Sequence, residues 1–243
     1  MSFHPDAADG PAATGAAGAA GADSELRSVA VRQGLSIGLA TGAYGISFGA
    51  LAVVGGLSVW QTVALSALMF TGASQFAFAG IFAVGGSPLA AVTTSTLLGL
   101  RHVSYGALLA PTLRPMPPFK KMVAAQLTID ESTAVALAQP TRDSRRAGFW
   151  SAGVSVYVLW NAFTLVGALA GSRIGDPNAW GLDAAAAAAF LGLLWSHLKT
   201  PHARWTALVA GTLTLALTPL LPAGLPLLVA AAAAVAIGEW SRK

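Results

Sequence analysis

Long apolar stretches that carry almost no charge are the feature that most constrains this chain. A helix that crosses a membrane needs roughly 20 apolar residues. Charged residues make up only 10% of the sequence and its mean hydropathy is +0.64, whereas soluble domains average about 25% charged residues. Because backbone groups in lipid must satisfy one another, helix is the default there. We therefore predict an all-α integral membrane protein, a bundle of about seven transmembrane spans. The predicted spans are 34–54, 58–83, 88–113, 147–171, 184–198, 204–221 and 223–238.

The sequence predicts two regions. Residues 1–26 are rich in alanine and glycine, lack an apolar core and predict a disordered tail, not a signal peptide. Residues 27–243 form a single transmembrane domain in contact with the lipid bilayer. The sequence pI is about 9.9, but most of the 14 Lys and Arg residues lie in short loops between spans, which is a membrane-orientation pattern; no nucleic-acid partner is predicted.

One segment, 122–138, is apolar at both ends and acidic in the middle. An eighth span, a re-entrant half-helix and a buried interfacial helix are all compatible with it. If the segment does not cross, ten cationic residues share the cytoplasmic side, while Arg27, Arg32 and Arg173 lie opposite. The positive-inside rule slightly favours this arrangement, a seven-span bundle plus a short polar-centred helix.

Two short sequences are similar in the two halves of the chain. Gly49-Ala50-Leu51-Ala52 is followed in the second half by Gly167-Ala168-Leu169-Ala170, and each precedes a Gly-Leu pair and another apolar stretch. Many secondary transporters contain internal structural repeats with a site between them. Chance similarity in a chain rich in alanine, glycine and leucine is the competing interpretation.

Glycines follow one face of the first span. Their spacings of four, four, three and four residues match the helical period. Small residues let a neighbouring helix approach closely, so we interpret the face as a packing surface; a face that lines a pathway is the alternative. These glycines are Gly34, Gly38, Gly42, Gly45 and Gly49.

Arg101 is the sharpest anomaly, since it lies near the middle of an apolar stretch beside His102. A central Arg costs about 2.5–3.5 kcal/mol on insertion scales and therefore needs a partner or water. Its planar fork suits a carboxylate, either in a fixed ion pair or on a substrate. Histidine is the side chain whose ordinary charge change lies near neutral pH, so His102 is a candidate proton relay or a packing residue.

Asp130 and Glu131 are the second anomaly, at the centre of the 122–138 segment. An acidic partner for Arg101 is the simplest explanation, and proton coupling is the other. Two buried amides are Gln75, in a stretch where glycine and serine weaken the helix, and Asn161. Each either ties helices together or lines a polar path. With no cysteines, phosphate loop or metal-ligand spacing, the sequence predicts no cofactor and no metal.

Three segments together resemble a known family. GASQFAFAGIFAVGGSPLAAV (72–92), LRHVSYGALLAPTLR (100–114) and LTIDESTAVAL (127–137) are similar to the large subunit of AzlC-type branched-chain amino acid exporters. The family pattern has a Gly-Ala-Ser-Gln-Phe run, an Arg-His pair followed by Leu-Ala-Pro, and an Asp-Glu pair. In one departure, Gly99 stands where the family usually has Asn, which bears on substrate choice if that Asn contacts ligand.

The resemblance implies a multi-pass protein of the bacterial inner membrane that exports branched-chain amino acids, not an enzyme. It also implies a small AzlD-type membrane subunit as partner. We further expect Arg101 to hold the substrate carboxylate or to pair with an acid when the site is empty, the proton motive force to drive export, and the aliphatic side chain to lie among Phe76, Phe78 and Leu97. An intramembrane enzyme using His102 and the acid pair, an exporter of another metabolite and a non-transporting scaffold are the alternatives.

Overall fold

The computed structural model describes residues 11–173, 191, 194–195, 198–221 and 225–240, and the described regular structure is entirely α-helical. The predicted span 184–198 lies mostly outside the described residues. The helices are α1 (Pro11–Val54), α2 (Val59–Leu68), α3 (Gly72–Ala83), α4 (Pro88–Gly99), α5 (Arg101–Leu113), α6 (Pro118–Gln126), α7 (Asp130–Leu137), α8 (Arg142–Gly171), α9 (Pro201–Leu217) and α10 (Leu225–Trp240).

The two long helices, α1 and α8, pack side by side and run in the same direction. The packing glycines of α1 follow α8 in ascending order, from Gly34 beside Ala152 to Gly49 beside Ala168. A Cβ on either glycine would lie 2.7 Å from the backbone nitrogen of its neighbour, so only glycine allows this approach. We call the end where both helices begin the lower end and the end where both finish the upper end.

Helices α2 and α3 form a hairpin that enters from the upper end. The Ser58 and Gln61 capping box starts α2, and the chain reverses at residues 69–71. The end of α3 returns to the start of α2, since a Cβ on Gly55 would lie 2.8 Å from Ala83. The predicted 58–83 span is therefore a re-entrant hairpin, with its tip at the expected break before Gly72.

Helices α4 and α5 together cross from the upper end to the lower end. Ser87 caps α4 and Pro88 occupies its first turn, an arrangement favoured at helix starts. The predicted span 88–113 is interrupted at Leu100, which divides it into two helices. At the lower end, the Thr112 carbonyl at the end of α5 accepts from Arg146 Nε at 2.8 Å, close to the start of α8.

Helices α6 and α7 form a second hairpin, which enters from the lower end. Residues 127–129 separate the two helices. Gln126 at the end of α6 donates to the Ala67 carbonyl at 2.8 Å, next to the tip of the first hairpin, while the Gln139 carbonyl just after α7 accepts from Arg145 at the lower end. Of the alternatives for 122–138, the structure therefore has the re-entrant one, made of two short helices.

These hairpins change the predicted architecture. The helical fold is confirmed, but the count of seven spans is not: by length and composition, two described helices, Gly21–Val54 within α1 and α8, suffice to cross a membrane. Hydropathy cannot separate a hairpin from a crossing, because both have the same length and composition. The first helix also begins at Pro11, within the predicted 1–26 tail, since alanine favours helix; residues 1–10 lie outside the described part.

The structural repetition also differs from the expected one. The similar sequences 49–52 and 167–170 lie in adjacent parallel helices, α1 and α8. The α2–α3 and α6–α7 hairpins, in contrast, enter from opposite ends, and their tips meet beside the middle of α8. Discontinuous helices of this kind surround the midplane sites of secondary transporters.

Candidate functional site

A cavity of about 360 Å³ lies where the two hairpin tips meet the break between α4 and α5. This volume is within the range of small-molecule sites. The cavity lining combines polar groups from the starts of α3, α5 and α7 with apolar side chains from α1 and α8. Its lining residues are Thr41, Tyr44, Phe70, Thr71, Gly72, Ala73, Arg101, Tyr105, Ile129, Asp130, Glu131, Val156 and Trp160.

An ion pair between Arg101 and Asp130 forms the polar side of the cavity. Arg101 Nη2 lies 2.8 Å from Asp130 Oδ2 and Nε lies 3.1 Å from Oδ1, which is the two-point geometry that an Arg fork favours. The Tyr105 hydroxyl donates to Asp130 Oδ1 at 2.6 Å, and Arg101 Nη2 donates to the Thr71 hydroxyl at 3.3 Å. The expected acidic partner of Arg101 is therefore Asp130.

Side chains compensate for the helix break at Leu100. Arg101 Nη1 donates to the Leu98 carbonyl at 2.6 Å, and His102 Nδ1 donates to the Gly99 carbonyl at 2.8 Å. Because a carbonyl only accepts, the hydrogen of a neutral His102 is on Nδ1. The broken backbone is thus satisfied within the protein, as burial in a membrane requires.

Gln75 fastens the tip of the first hairpin to α8 and does not line the cavity. Its amide nitrogen donates to the Ser66 and Met69 carbonyls at 3.1 and 2.7 Å, and its oxygen accepts from Trp160 Nε1 at 2.8 Å. The side chain is completely buried. This hydrogen bonding is the helix-tying role, and it positions Thr71 and the following turn at the cavity.

The start of α3 presents free backbone donors to the cavity. The first N–H groups of any α-helix have no partner within the helix, and the aligned peptide dipoles add a partial positive charge there. Thr71, the residue before α3, makes no side-chain cap to that helix. Gly72 and Ala73 therefore offer N–H groups to an anion beside Arg101.

Glu131 lines the same cavity but, unlike Asp130, lacks a side-chain partner among the described residues. Its carboxylate is hydrogen-bonded only to its own backbone. No ion pair or hydrogen bond joins it to another side chain in the part of the chain that the structure describes. The first turn of α7 therefore carries one paired and one unpaired carboxylate.

Two further predicted site residues lie off the cavity lining. Asn161 donates to the Tyr157 carbonyl at 2.8 Å, and its buried oxygen has no partner among the described residues. The buried Nε2 of His102 is likewise unpaired there, and the His102 ring packs edge-on against Tyr105, with centroids 5.6 Å apart.

The apolar wall also differs from the predicted one. Phe76 is buried against Phe48 with ring centroids 5.7 Å apart, and Leu97 is 47% exposed. Neither these two nor Phe78 lines the cavity. The wall is formed by Tyr44, Phe70, Val156 and Trp160, which sequence reasoning did not assign to the site. No sequence signal marked them, because each is an ordinary apolar residue within an apolar stretch.

The described residues contain no group of three His, Cys, Asp or Glu residues placed to hold a metal ion. Gly99, at the position where the resembled family usually has Asn, faces Ser74 and is outside the cavity lining; a Cβ there would lie 4.0 Å from Ser74 Oγ.

Comparison with known proteins places the chain among membrane proteins. The family described as AzlC protein matches residues 36–174. An uncharacterized membrane protein of Archaeoglobus fulgidus is 32% identical over 196 residues, 80% of this chain and 85% of that protein. The inner membrane protein YgaZ of Escherichia coli is 32% identical over 132 residues, 53% of this chain and 54% of that protein. No solved structure matches the chain.

Proposed function

The chain belongs to the AzlC protein family, a family of membrane transporter components, and on that premise we propose that it exports branched-chain amino acids. The observation that carries the proposal is the cavity between the hairpin tips. Its lining combines a guanidinium and free helix N–H groups with aromatic and aliphatic side chains. These two kinds of group suit a carboxylate and a short apolar side chain.

In the proposed empty state, Arg101 is occupied by Asp130, as its two hydrogen bonds indicate. The substrate carboxylate binds beside Gly72 and Ala73 and shares or replaces Asp130 on the Arg101 fork. The aliphatic side chain then packs against Trp160 and Val156.

Proton motive force drives export in this proposal, with Asp130, Glu131 or His102 carrying the proton. The two carboxyl groups line the cavity, so their charge changes act directly on the bound substrate. His102 acts from behind the cavity through its edge contact with Tyr105, whose hydroxyl is bonded to Asp130.

The proposed location is the inner membrane, with several crossings and the lower end in the cytoplasm. Between residues 27 and 173, one cation lies at the upper end, Arg173, and Arg101 lies in the interior. Eight cations lie at the lower end, which the positive-inside rule assigns to the cytoplasm. This assignment moves the start of α1 to the cytoplasm, opposite to the side expected from a seven-span bundle. The eight are Arg27, Arg32, Arg114, Lys120, Lys121, Arg142, Arg145 and Arg146.

A small AzlD-type membrane subunit is the proposed partner, on the strength of the family resemblance. Transport assays therefore compare the chain alone with the chain co-expressed with such a subunit.

Loss of preloaded leucine from cells tests the function. Cells that express the chain with its partner are expected to lose labelled leucine faster than empty-vector cells, and Arg101→Ala to abolish the difference. Arg173→Ala, an exposed cation outside the cavity, is the matched control and retains efflux. Unchanged efflux in Arg101→Ala would remove the assigned role, and no leucine efflux with the unaltered chain would overturn the proposed function.

A further inference from the structure

Asp130 and Glu131 are neighbours in sequence but have different surroundings in the cavity. Asp130 accepts from Arg101 twice and from Tyr105 once, so its charge is balanced and its oxygens are occupied. Glu131 has no bond to another side chain among the described residues. The carboxylate of Glu131 is therefore the one that is free to receive a ligand.

The ligand that suits this carboxylate is a cation. Arg101 and Asp130 cancel each other, which leaves the Glu131 charge unbalanced in a cavity that the aromatic rings of Phe70 and Trp160 also line. An unpaired charge in such an apolar setting is costly unless a counter-charge or hydrogen-bond donors meet it. An ammonium group supplies both, since it carries one positive charge and three donors.

An anion site is part of the same lining. The N–H groups that begin α3, at Gly72 and Ala73, and the Arg101 fork all favour a carboxylate. One cavity thus presents an anion site, a cation site and an apolar wall, which are the three features of an α-amino acid with an aliphatic side chain.

We propose that Glu131 binds the α-ammonium group of the substrate, so that the site selects zwitterionic amino acids over acids of the same shape that lack the amine. This inference rests on the proposed function and adds the residue that sets specificity at that site. The hydroxyl of a 2-hydroxy acid fits the same space and can donate one hydrogen bond, but it brings no positive charge, so the charge of Glu131 stays unbalanced. A site built for a polar group rejects the analogue lacking it through the cost of its own unpaired partner.

Counterflow in proteoliposomes tests the proposal with the full chain and its partner. Uptake of labelled leucine is measured against competition by unlabelled leucine and by its 2-hydroxy analogue, 2-hydroxy-4-methylpentanoate. For the unaltered chain, we expect the hydroxy acid to compete on the order of 100-fold less well than leucine, a smaller ratio than for a fully enclosed site because the cavity is partly open.

Glu131→Gln should reduce that ratio to within about threefold. The Gln amide can hydrogen-bond the ammonium group or the hydroxyl group, but it has no negative charge to attract the ammonium. Glu131→Asp should keep the discrimination at lower affinity. Asp143→Asn, an exposed acid at the start of α8, is the matched control and keeps the ratio of the unaltered chain.

Each other outcome has a separate meaning. If the unaltered chain transports leucine but accepts the hydroxy acid equally well, the assigned role of Glu131 is wrong whether or not the variants fold. If Glu131→Gln loses only the response to an imposed pH gradient and keeps the discrimination, Glu131 carries a proton and the inference is overturned. If the unaltered chain does not transport leucine, the proposed function itself fails.

Discussion

Arg101 at the start of α5 and Asp130 at the start of α7 are joined by two hydrogen bonds, of 2.8 and 3.1 Å. The pair links the interrupted α4–α5 crossing to the tip of the second hairpin. Its side chains are 26% and 45% exposed, for Arg101 and Asp130 respectively, so the pair lies at the cavity surface. An ion pair in this position joins two separate elements of the fold and remains within reach of a ligand.

The pair should behave as a coupled unit when either partner is removed. Breaking a fully buried pair costs 3–5 kcal/mol, and the partial exposure here reduces the expected loss of stability for Arg101→Ala to about 2 kcal/mol. Asp130→Ala should cost a similar amount, and the double variant should be less destabilised than the sum by about 1 kcal/mol. Unfolding in detergent measures all three, and strictly additive losses would show that the pair is not coupled.

The Trp160–Gln75 hydrogen bond should stabilise the tip of the first hairpin. Trp160→Phe keeps a ring but leaves the Gln75 oxygen buried without its donor, at a cost of about 1–3 kcal/mol. Trp60→Phe, at a tryptophan that is 78% exposed, provides the control and should unfold like the unaltered protein. Equal stability of the two variants would rule out this role for the bond.

The α1–α8 contact should tolerate no side chain at Gly49. A Cβ there would overlap the Thr164 carbonyl and lie 2.7 Å from Ala168 N, so Gly49→Ala is expected to separate the two helices and reduce the amount of folded protein. At Gly211 in α9 the space is open, and Gly211→Ala should be neutral or stabilising by up to about 1 kcal/mol. Size-exclusion profiles in detergent compare them, and a normal Gly49→Ala profile would contradict the packing.

The re-entrant α2–α3 hairpin predicts that its two ends lie on the same side of the membrane. The chain has no native cysteine, so Trp60→Cys and Val84→Cys each introduce a single thiol at an exposed position. A membrane-impermeant thiol reagent added to intact cells should label both, and it should not label Lys120→Cys at the lower end. Labelling of only one of Trp60→Cys and Val84→Cys would restore the crossing predicted from hydropathy.

Several features of the site could be read from the sequence because they are costly in a membrane. A charged Arg101 within an apolar stretch demands a partner, and the nearest unexplained acid in the sequence was Asp130, which the structure places beside it. The glycine and serine run before Gln75 predicted a break, and the chain does reverse just before Gly72. In each case the physical requirement is local to a few residues.

The direction of the chain could not be read in the same way. Residues 58–83 are as apolar and as long as a crossing helix, and only contacts distant in sequence, such as that of Gly55 with Ala83, show that they turn back. The interruption at Leu100 directly follows Gly99, but glycines such as Gly42 also lie within unbroken helices, so this glycine alone does not predict a break. The side chains of Arg101 and His102 maintain the interruption through their hydrogen bonds to the Leu98 and Gly99 carbonyls. The spacing of apolar residues along the sequence does not predict such bonds.

The central claim, that an amino acid occupies the cavity between the hairpin tips, is tested most directly by substrate protection of a thiol in its lining. Ala73→Cys places the only cysteine of the chain in the first turn of α3, where the helix start favours the reactive thiolate. Saturating leucine should slow its labelling by about tenfold or more, as expected for a cavity that buries most of its ligand. The same leucine should leave the labelling of Val84→Cys unchanged. If Ala73→Cys is labelled at the same rate with and without leucine, in protein that still transports leucine, the substrate binds elsewhere and the account is contradicted.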